Sequence, residues 1–272
     1  MIYRNENLNL SGARETLLIT LRAKALDSRL RHSVLNDRFA DSIFKTIKYD
    51  FTKFGEFYKS NNIIVIRAKQ FDEWLKEFLA TNENATVVNL ACGLDSRVKR
   101  VDPDKTVFWY DIDFPDVIEI RRNFFVETQQ YKMIGSSALD PQWLQDISPN
   151  RPTVILTAGL LEYLDEKEVQ SLFNMLTGYF VQGQLIFDVM SSFAIESGKK
   201  RLKAITGAEH KWAVNSPEAV DRLDSQLQRI SDLSVFKSAF IKELSAGYRF
   251  IYRIMSYIPA FRNMMRLMRY GF

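Results

Sequence analysis

One cysteine and two histidines in 272 residues exclude an internal disulfide, and Cys92, His32 and His210 are too few and too scattered for a recognisable metal site. No metal is expected. The chain also lacks any run of the roughly 18 apolar residues that a membrane span needs, and its opening MIYRNENLNL lacks the apolar core of a signal peptide. A cytoplasmic protein without membrane attachment is expected. Charge imbalance is small: the formal net charge is +4 and the basic residues are dispersed, so the electrostatics do not call for a nucleic-acid partner. There is no internal repeat or low-complexity linker. With 46% hydrophobic and 26% charged residues, the composition is that of a globular protein with a sizeable core.

Glycine is scarce at the one place where its number is informative. The segment 86–90, TVVNL, reads as a short β-branched, apolar strand, followed by the small-residue turn Ala91-Cys92-Gly93. A second apolar strand over 106–110 leads to Asp111-Ile112-Asp113. Asp113 lies about 20 residues after Gly93, the offset at which a Rossmann-like unit places its ribose-binding carboxylate, and Asp111 points to the same side. A dinucleotide site needs G-x-G-x-x-G so that a pyrophosphate can rest on backbone N–H groups, and here there is one glycine. S-adenosylmethionine (SAM) has no phosphate, so one close backbone approach and one acid suffice. The same pattern also occurs as an ordinary strand-to-helix turn with a solvated Asp. Cys92, inside the turn, reads as a small buried filler, since no histidine lies near it in sequence and no catalytic-cysteine pattern surrounds it.

The rest of the chain alternates helix and strand. A helix is predicted over 11–30 and another from about residue 38, followed by an aromatic loop over 49–57. A third, over 62–79, carries an apolar stripe of Ile63, Ile66, Phe71, Trp74, Leu75 and Phe78, and Arg67 falls on it. Such a guanidinium needs an acidic partner. It either snorkels at the stripe's edge or binds the carboxylate of the cofactor's methionine moiety with its bidentate fork. Further strands are predicted over 131–135, 153–157, 184–189 and 233–241, with Asp165 and Glu168 as a capping pair for a helix after the fourth strand. The alternation predicts a mostly parallel sheet covered on both faces. Residues 192–231, two helical segments around GAEHKWAVN, read as a substrate lid over the carboxyl ends of the strands. The closing MRLMRYGF reads as a strand or as a basic amphipathic helix at a membrane surface, and Gly271 disfavours the helix.

The stretches SGARETLLITLRAKALDSR, LNDRFAD, VVNLACGLDSR, WYDIDFPDVIEIRRNFF and TAGLLEYLDEKEV, in that order over about residues 11–169, resemble the leucine carboxyl methyltransferase superfamily, in particular its bacterial polyketide O-methyltransferase branch. The resemblance implies an α/β fold of the class I SAM-methyltransferase type, a Rossmann-like seven-stranded sheet with the last strand antiparallel. It also implies a helical cap over residues 1–80 on a catalytic domain over 81–272. Cofactor contacts carried over are Lys24, for which Arg22 is an equal rival, with Arg67, Gly93, Asp111, Asp113, Ser137, Ala138 and position 158. Two departures matter. Ala158 stands where many members have an acid before glycine, and Ser137-Ala138-Leu139 replaces the Asp-Leu-Arg whose arginine grips the substrate in the phosphatase-methylating branch.

Methyl transfer from a sulfonium is an in-line displacement whose leaving group departs neutral, so alignment and desolvation carry much of the rate and no catalytic dyad need be visible. A carboxylate acceptor needs no base, whereas a hydroxyl benefits from one; His210, Tyr163 and Glu162 are the candidates, each with a structural alternative. The expected function is SAM-dependent O-methylation of a carboxyl or hydroxyl group on a small secondary metabolite. The alternative is a SAM-binding regulatory or scaffold protein without turnover, for which Ala158 speaks. An NAD-dependent oxidoreductase is disfavoured by the missing glycines.

Overall fold

In the computed structural model, residues 10–55 and 62–272 are described. Helices α1 (Thr16–Ser28), α2 (Arg38–Thr46) and α3 (Asn62–Thr81) precede the first strand, and α4 (Arg97–Val101) and α5 (Pro115–Arg122) come after it. A seven-stranded sheet follows, ordered β3-β2-β1-β4-β5-β7-β6. Its strands are β1 (Thr86–Leu90), β2 (Phe108–Asp113), β3 (Tyr131–Gly135), β4 (Thr153–Thr157), β5 (Gly183–Met190), β6 (Gln228–Ser234) and β7 (Met265–Gly271). β1 to β5 pair in parallel, and β7 runs antiparallel between β5 and β6. The closing MRLMRYGF is therefore a strand. Strand number, the parallel run and the antiparallel last strand are those the resemblance implied.

Side-chain alternation along the central strands divides the core in two. Val87, Val154, Leu156, Ile186 and Leu267 face the cluster that holds α1 and α3, while Val88, Leu90, Ile155, Phe187 and Met268 face the cluster under α6 (Glu166–Tyr179). With both faces covered, β1 and β4 are buried along their whole length. α6 starts on a capping box in which Asp165 accepts from the Glu168 N–H and Glu168 accepts from the Asp165 N–H.

Three differences from the sequence expectation bear on the site. β2 continues to Asp113, because residues 109–113 complete the parallel ladder to β3, so the Asp-Ile-Asp lies inside the strand. The sixth strand is Gln228–Ser234 and not 233–241, since its antiparallel register is set by β7; after it the chain enters 3-10 turns and then α9 (Ala246–Tyr257) and α10 (Pro259–Arg262). The excursion after β5 consists of α7 (Ser192–Thr206), a connector and the five-residue α8 (Pro217–Asp221), and β6 begins at Gln228, before residue 231. Its connector is docked by backbone hydrogen bonds. The Lys211 and Trp212 N–H groups donate to the Glu162 carbonyl, the Val214 N–H to the Met190 carbonyl and the Ser192 N–H to Asn215 Oδ1. Trp212 is buried in the second core cluster, so its ring packs the fold and presents little surface to a substrate.

Candidate cofactor and acceptor site

β1 lies between β2 and β4, and the crossovers leave it in opposite directions, so the crevice outside its carboxyl end is the topological switch point where such sheets bind ligands. Two turns frame it. After β1, Ala91 (φ +50°) and Gly93 (φ +50°) are both left-handed, and the Gly93 N–H donates to Asp113 Oδ2 at 2.8 Å. Asp113 Oδ1 accepts from the Phe114 N–H at 2.8 Å; burial pushes the carboxyl above its usual range, and these two N–H groups oppose the shift. After β4, Ala158 precedes Gly159 (φ +77°), whose N–H donates to Asp188 Oδ1 at 2.9 Å.

The N-terminal helices roof the first turn. A Cβ at Gly93 would lie 3.1 Å from Leu17 Cβ. Arg14 pairs with Asp116 at 2.6 Å and stacks over Phe114, and Lys24 pairs with Asp95 at 2.9 Å. Lys24 and Arg22 are two residues apart on a helix, hence about 200° apart around it. Lys24 is the one beside the turn; burial lowers its ammonium to about 8, with Asp95 opposing. Arg22 is also buried and has Nη1 without a hydrogen-bond partner among the described residues. Beneath the roof, three acids (Asp37, Asp72, Asp95) meet three bases (Lys24, Arg97, Arg100), with Arg97 Nε 2.7 Å from Asp72 and Arg100 within 2.8 Å of all three acids. This network ties α1, α2 and α3 to the segment after Gly93. The sequence reading missed it, because no single stretch contains it.

Asp111 departs from the expectation. It is fully buried, Oδ1 accepts from Asn89 Nδ2 at 2.8 Å and Trp109 Nε1 at 3.0 Å, and Oδ2 accepts from Arg121 and from Tyr131 Oη at 2.6 Å. Four internal donors leave no oxygen for a ribose. Its alternation with Asp113 is as read, but only Asp113 reaches the strand's end. Cys92 is buried and its thiol is pushed well above the usual range by burial, as suits a packing residue.

Arg67 finds its acidic partner within the protein. Nη1 donates to Asp188 at 2.7 Å, and both groups are buried. A Cβ at Gly159 would stand 3.3 Å from Arg67 Nη1, 3.6 Å from Nη2 and 3.6 Å from Glu162 Oε1. Glu162 is buried, Oε2 has no partner among the described residues, and burial, reinforced by Asp188 and opposed by Arg67, raises its carboxyl to about 8. Asp188 interrupts the apolar strand LIFDVM, and a charge in so apolar a run was the signal available for it. Ser137 and Ala138 follow β3; Ser136 N–H donates to the Asp113 carbonyl at 2.8 Å, which holds this loop against the end of β2. Ala158 is half-buried against the first core cluster.

His210 and Tyr163, 47 residues apart by their numbers, are brought together with ring centroids 5.0 Å apart, next to Glu162 in the chain. Burial lowers the imidazole below its usual range, so it is neutral near pH 7, and Nδ1 has no partner among the described residues.

The framework fits an adenosine cofactor with an amino-acid tail: a backbone turn too close for a side chain, an acid at the end of β2, and a guanidinium at the edge of a second turn. Comparison with known proteins agrees. The family model for leucine carboxyl methyltransferases matches residues 17–177, more than half of the chain. The tetracenomycin polyketide synthesis O-methyltransferase TcmP of Streptomyces glaucescens is 35% identical over 98% of this chain and 99% of its own. The S-adenosyl-L-methionine-dependent methyltransferase dpfgK of Gibberella zeae is 32% identical over 79% of each chain. Among solved structures, one assigned to a methyltransferase of Thermobifida fusca superposes with a TM-score of 0.60 at 12% identity, covering 91% of this chain and 93% of the other. The chain belongs to the leucine carboxyl methyltransferase family and is a SAM-dependent methyltransferase.

Proposed function

We propose that the chain transfers the methyl group of SAM to a carboxyl or hydroxyl oxygen of a small secondary metabolite of polyketide type. The observation that carries this reading is the His210 imidazole, whose Nδ1 has no partner among the described residues, beside Tyr163 on the loop that leaves β4 at the carboxyl edge of the sheet. SAM supplies an electrophilic methyl on a sulfonium. Asp113 accepts from the ribose hydroxyls, Gly93 lets the backbone approach, Ser137 and Ala138 border the adenine, and Arg67 and Lys24 offer cations to the cofactor's carboxylate. On the acceptor side a neutral imidazole can take the proton of a hydroxyl, while a carboxylate needs only alignment and exclusion of water.

A protein C-terminus fits less well. Ser137-Ala138-Leu139 offers no arginine to hold a charged peptide tail, and ordering such a tail would cost entropy that nothing here offsets. The end-to-end similarity to TcmP supports the small-molecule reading.

Incubation with methyl-labelled SAM and either the small-molecule or the protein fraction of a cell extract tests it. Label in small molecules is the expected result, and base-labile label identifies an ester. Label confined to proteins would reject the acceptor class.

A further inference from the structure

The cluster between the β4 turn and β5 contains more acid than the protein itself neutralises. Asp188 is satisfied on both oxygens, Oδ2 by Nη1 of the Arg67 guanidinium and Oδ1 by the Gly159 N–H, while Arg67 gives Asp188 one arm of its fork. Glu162 is a second carboxyl in the same buried cluster, and it is left over. Its Oε2 is shut from solvent and meets no donor among the described residues, although its backbone is fixed by the Lys211 and Trp212 N–H groups on its carbonyl. A buried oxygen without a partner is costly unless a ligand supplies a donor. Among the described residues, the charged groups that face it are Asp188 from β5, which repels its ionised form, and Arg67 from α3, which attracts it together with the backbone N–H of Glu162 itself.

A ligand that satisfied this cluster would carry an anion for the guanidinium fork and, one or two bonds away, a cation for the spare carboxyl. An α-amino acid has that pattern. We propose that Glu162 is the residue that receives the α-ammonium group of the cofactor's methionine moiety, while Arg67 holds its α-carboxylate. This rests on the cofactor contact assigned to Arg67 above. Glu162 is then a binding residue that positions the methyl donor, and its backbone neighbour Tyr163 and the connector carrying His210 are fixed to the same carbonyl. On binding, the ammonium keeps its proton, the Glu162 carboxyl becomes a carboxylate, and the proton it held passes to solvent.

The test crosses one residue change with one ligand change. Calorimetry compares S-adenosylhomocysteine with its desamino analogue, which keeps the adenosine, the thioether and the carboxylate, on the wild type and on Glu162→Gln. The wild type should prefer the amino compound by about tenfold or more, as for a charged hydrogen bond, and the variant should lose most of that preference while holding the desamino compound unchanged. Repeating the titration at pH 7 in buffers of different ionisation enthalpy gives a second reading: the wild type should release more protons with the amino compound than with the desamino one, and the variant should not. An unchanged preference in Glu162→Gln, or equal loss for both ligands, would overturn the assignment. If the wild type bound neither ligand, the cofactor contact of Arg67 would fall, and this inference with it.

Discussion

The backbone N–H of Gly93 donates to Asp113 Oδ2 at 2.8 Å, so the turn after β1 and the acid at the end of β2 form one hydrogen-bonded unit. Gly93→Ala strains that unit twice, through φ +50° and through a Cβ 3.1 Å from Leu17 Cβ. A loss of about 1–2 kcal/mol in urea unfolding is expected, with a larger loss of SAM affinity because α1 is displaced. Ala91, also at φ +50°, gives the control: Ala91→Gly should leave stability unchanged or raise it by up to about 1 kcal/mol.

Asp111 and Asp113 should separate cleanly. Asp111→Asn leaves the buried Arg121 without its anion, and a stability loss of about 3–5 kcal/mol is expected, with cofactor affinity unchanged in the fraction that folds. Asp113→Ala leaves the Gly93 and Phe114 N–H groups without their acceptor and should cost about 1–2 kcal/mol of stability, less than Asp111→Asn, together with about 1–3 kcal/mol of cofactor binding, read by calorimetry. Equal behaviour of the two variants would contradict the distinction.

Glu162 makes stability depend on pH with a definite sign. The unfolded carboxyl releases its proton near 4.5 and the folded one near 8, so between these values the folded state holds a proton that the unfolded state has lost. Stability therefore falls as pH rises from about 4.5 to about 8 and is level above, as far as this group is concerned. In the cofactor-free protein, Glu162→Gln should be more stable than the wild type at pH 8 by on the order of a few kcal/mol, with the gap closing towards pH 4.5. Thermal unfolding across that range checks it, and a gap independent of pH would show that the carboxyl does not titrate there.

Arg67→Lys keeps the charge beside Asp188 but replaces a fork with a point. SAM should bind far more weakly while adenosine binds as before. Because the buried Asp188 retains a cation, the fold should survive, which Arg67→Ala would not guarantee. Equal losses for both ligands would mark Arg67 as structural.

Much of the sheet was legible because its signals are local. β1, β3 and β4 lie where runs of β-branched and apolar residues end in turn residues, and the capping pair Asp165 and Glu168 announced α6. The antiparallel β7 came with the family resemblance. β6 was misread because Gln228–Ser234 is a polar edge strand whose pairing partner, not its composition, defines it. The helix α9 was missed although Ser245 and the apolar residues of YRFIYRIMSY mark it, because several of those residues, including Phe250 and Ile254, remain exposed and no strand-helix alternation frames them.

By itself the sequence determined the positions that need a particular residue type for local reasons: a glycine where φ is positive, an acid at a strand end, a guanidinium on an apolar stripe. Only the tertiary structure decided what each of these charges meets. Asp111 and Asp113 share a strand and a face, yet one is consumed by the side chains of Arg121, Tyr131, Asn89 and Trp109 while the other, at the strand's end, meets only the backbone N–H groups of Gly93 and Phe114 among the described residues. Arg67 and Asp188 pair across 121 residues, and Glu162 Oε2 in the same cluster meets no donor among the described residues. A buried charge is defined by the partners that replace its water, and those partners come from segments that pattern and spacing cannot bring together.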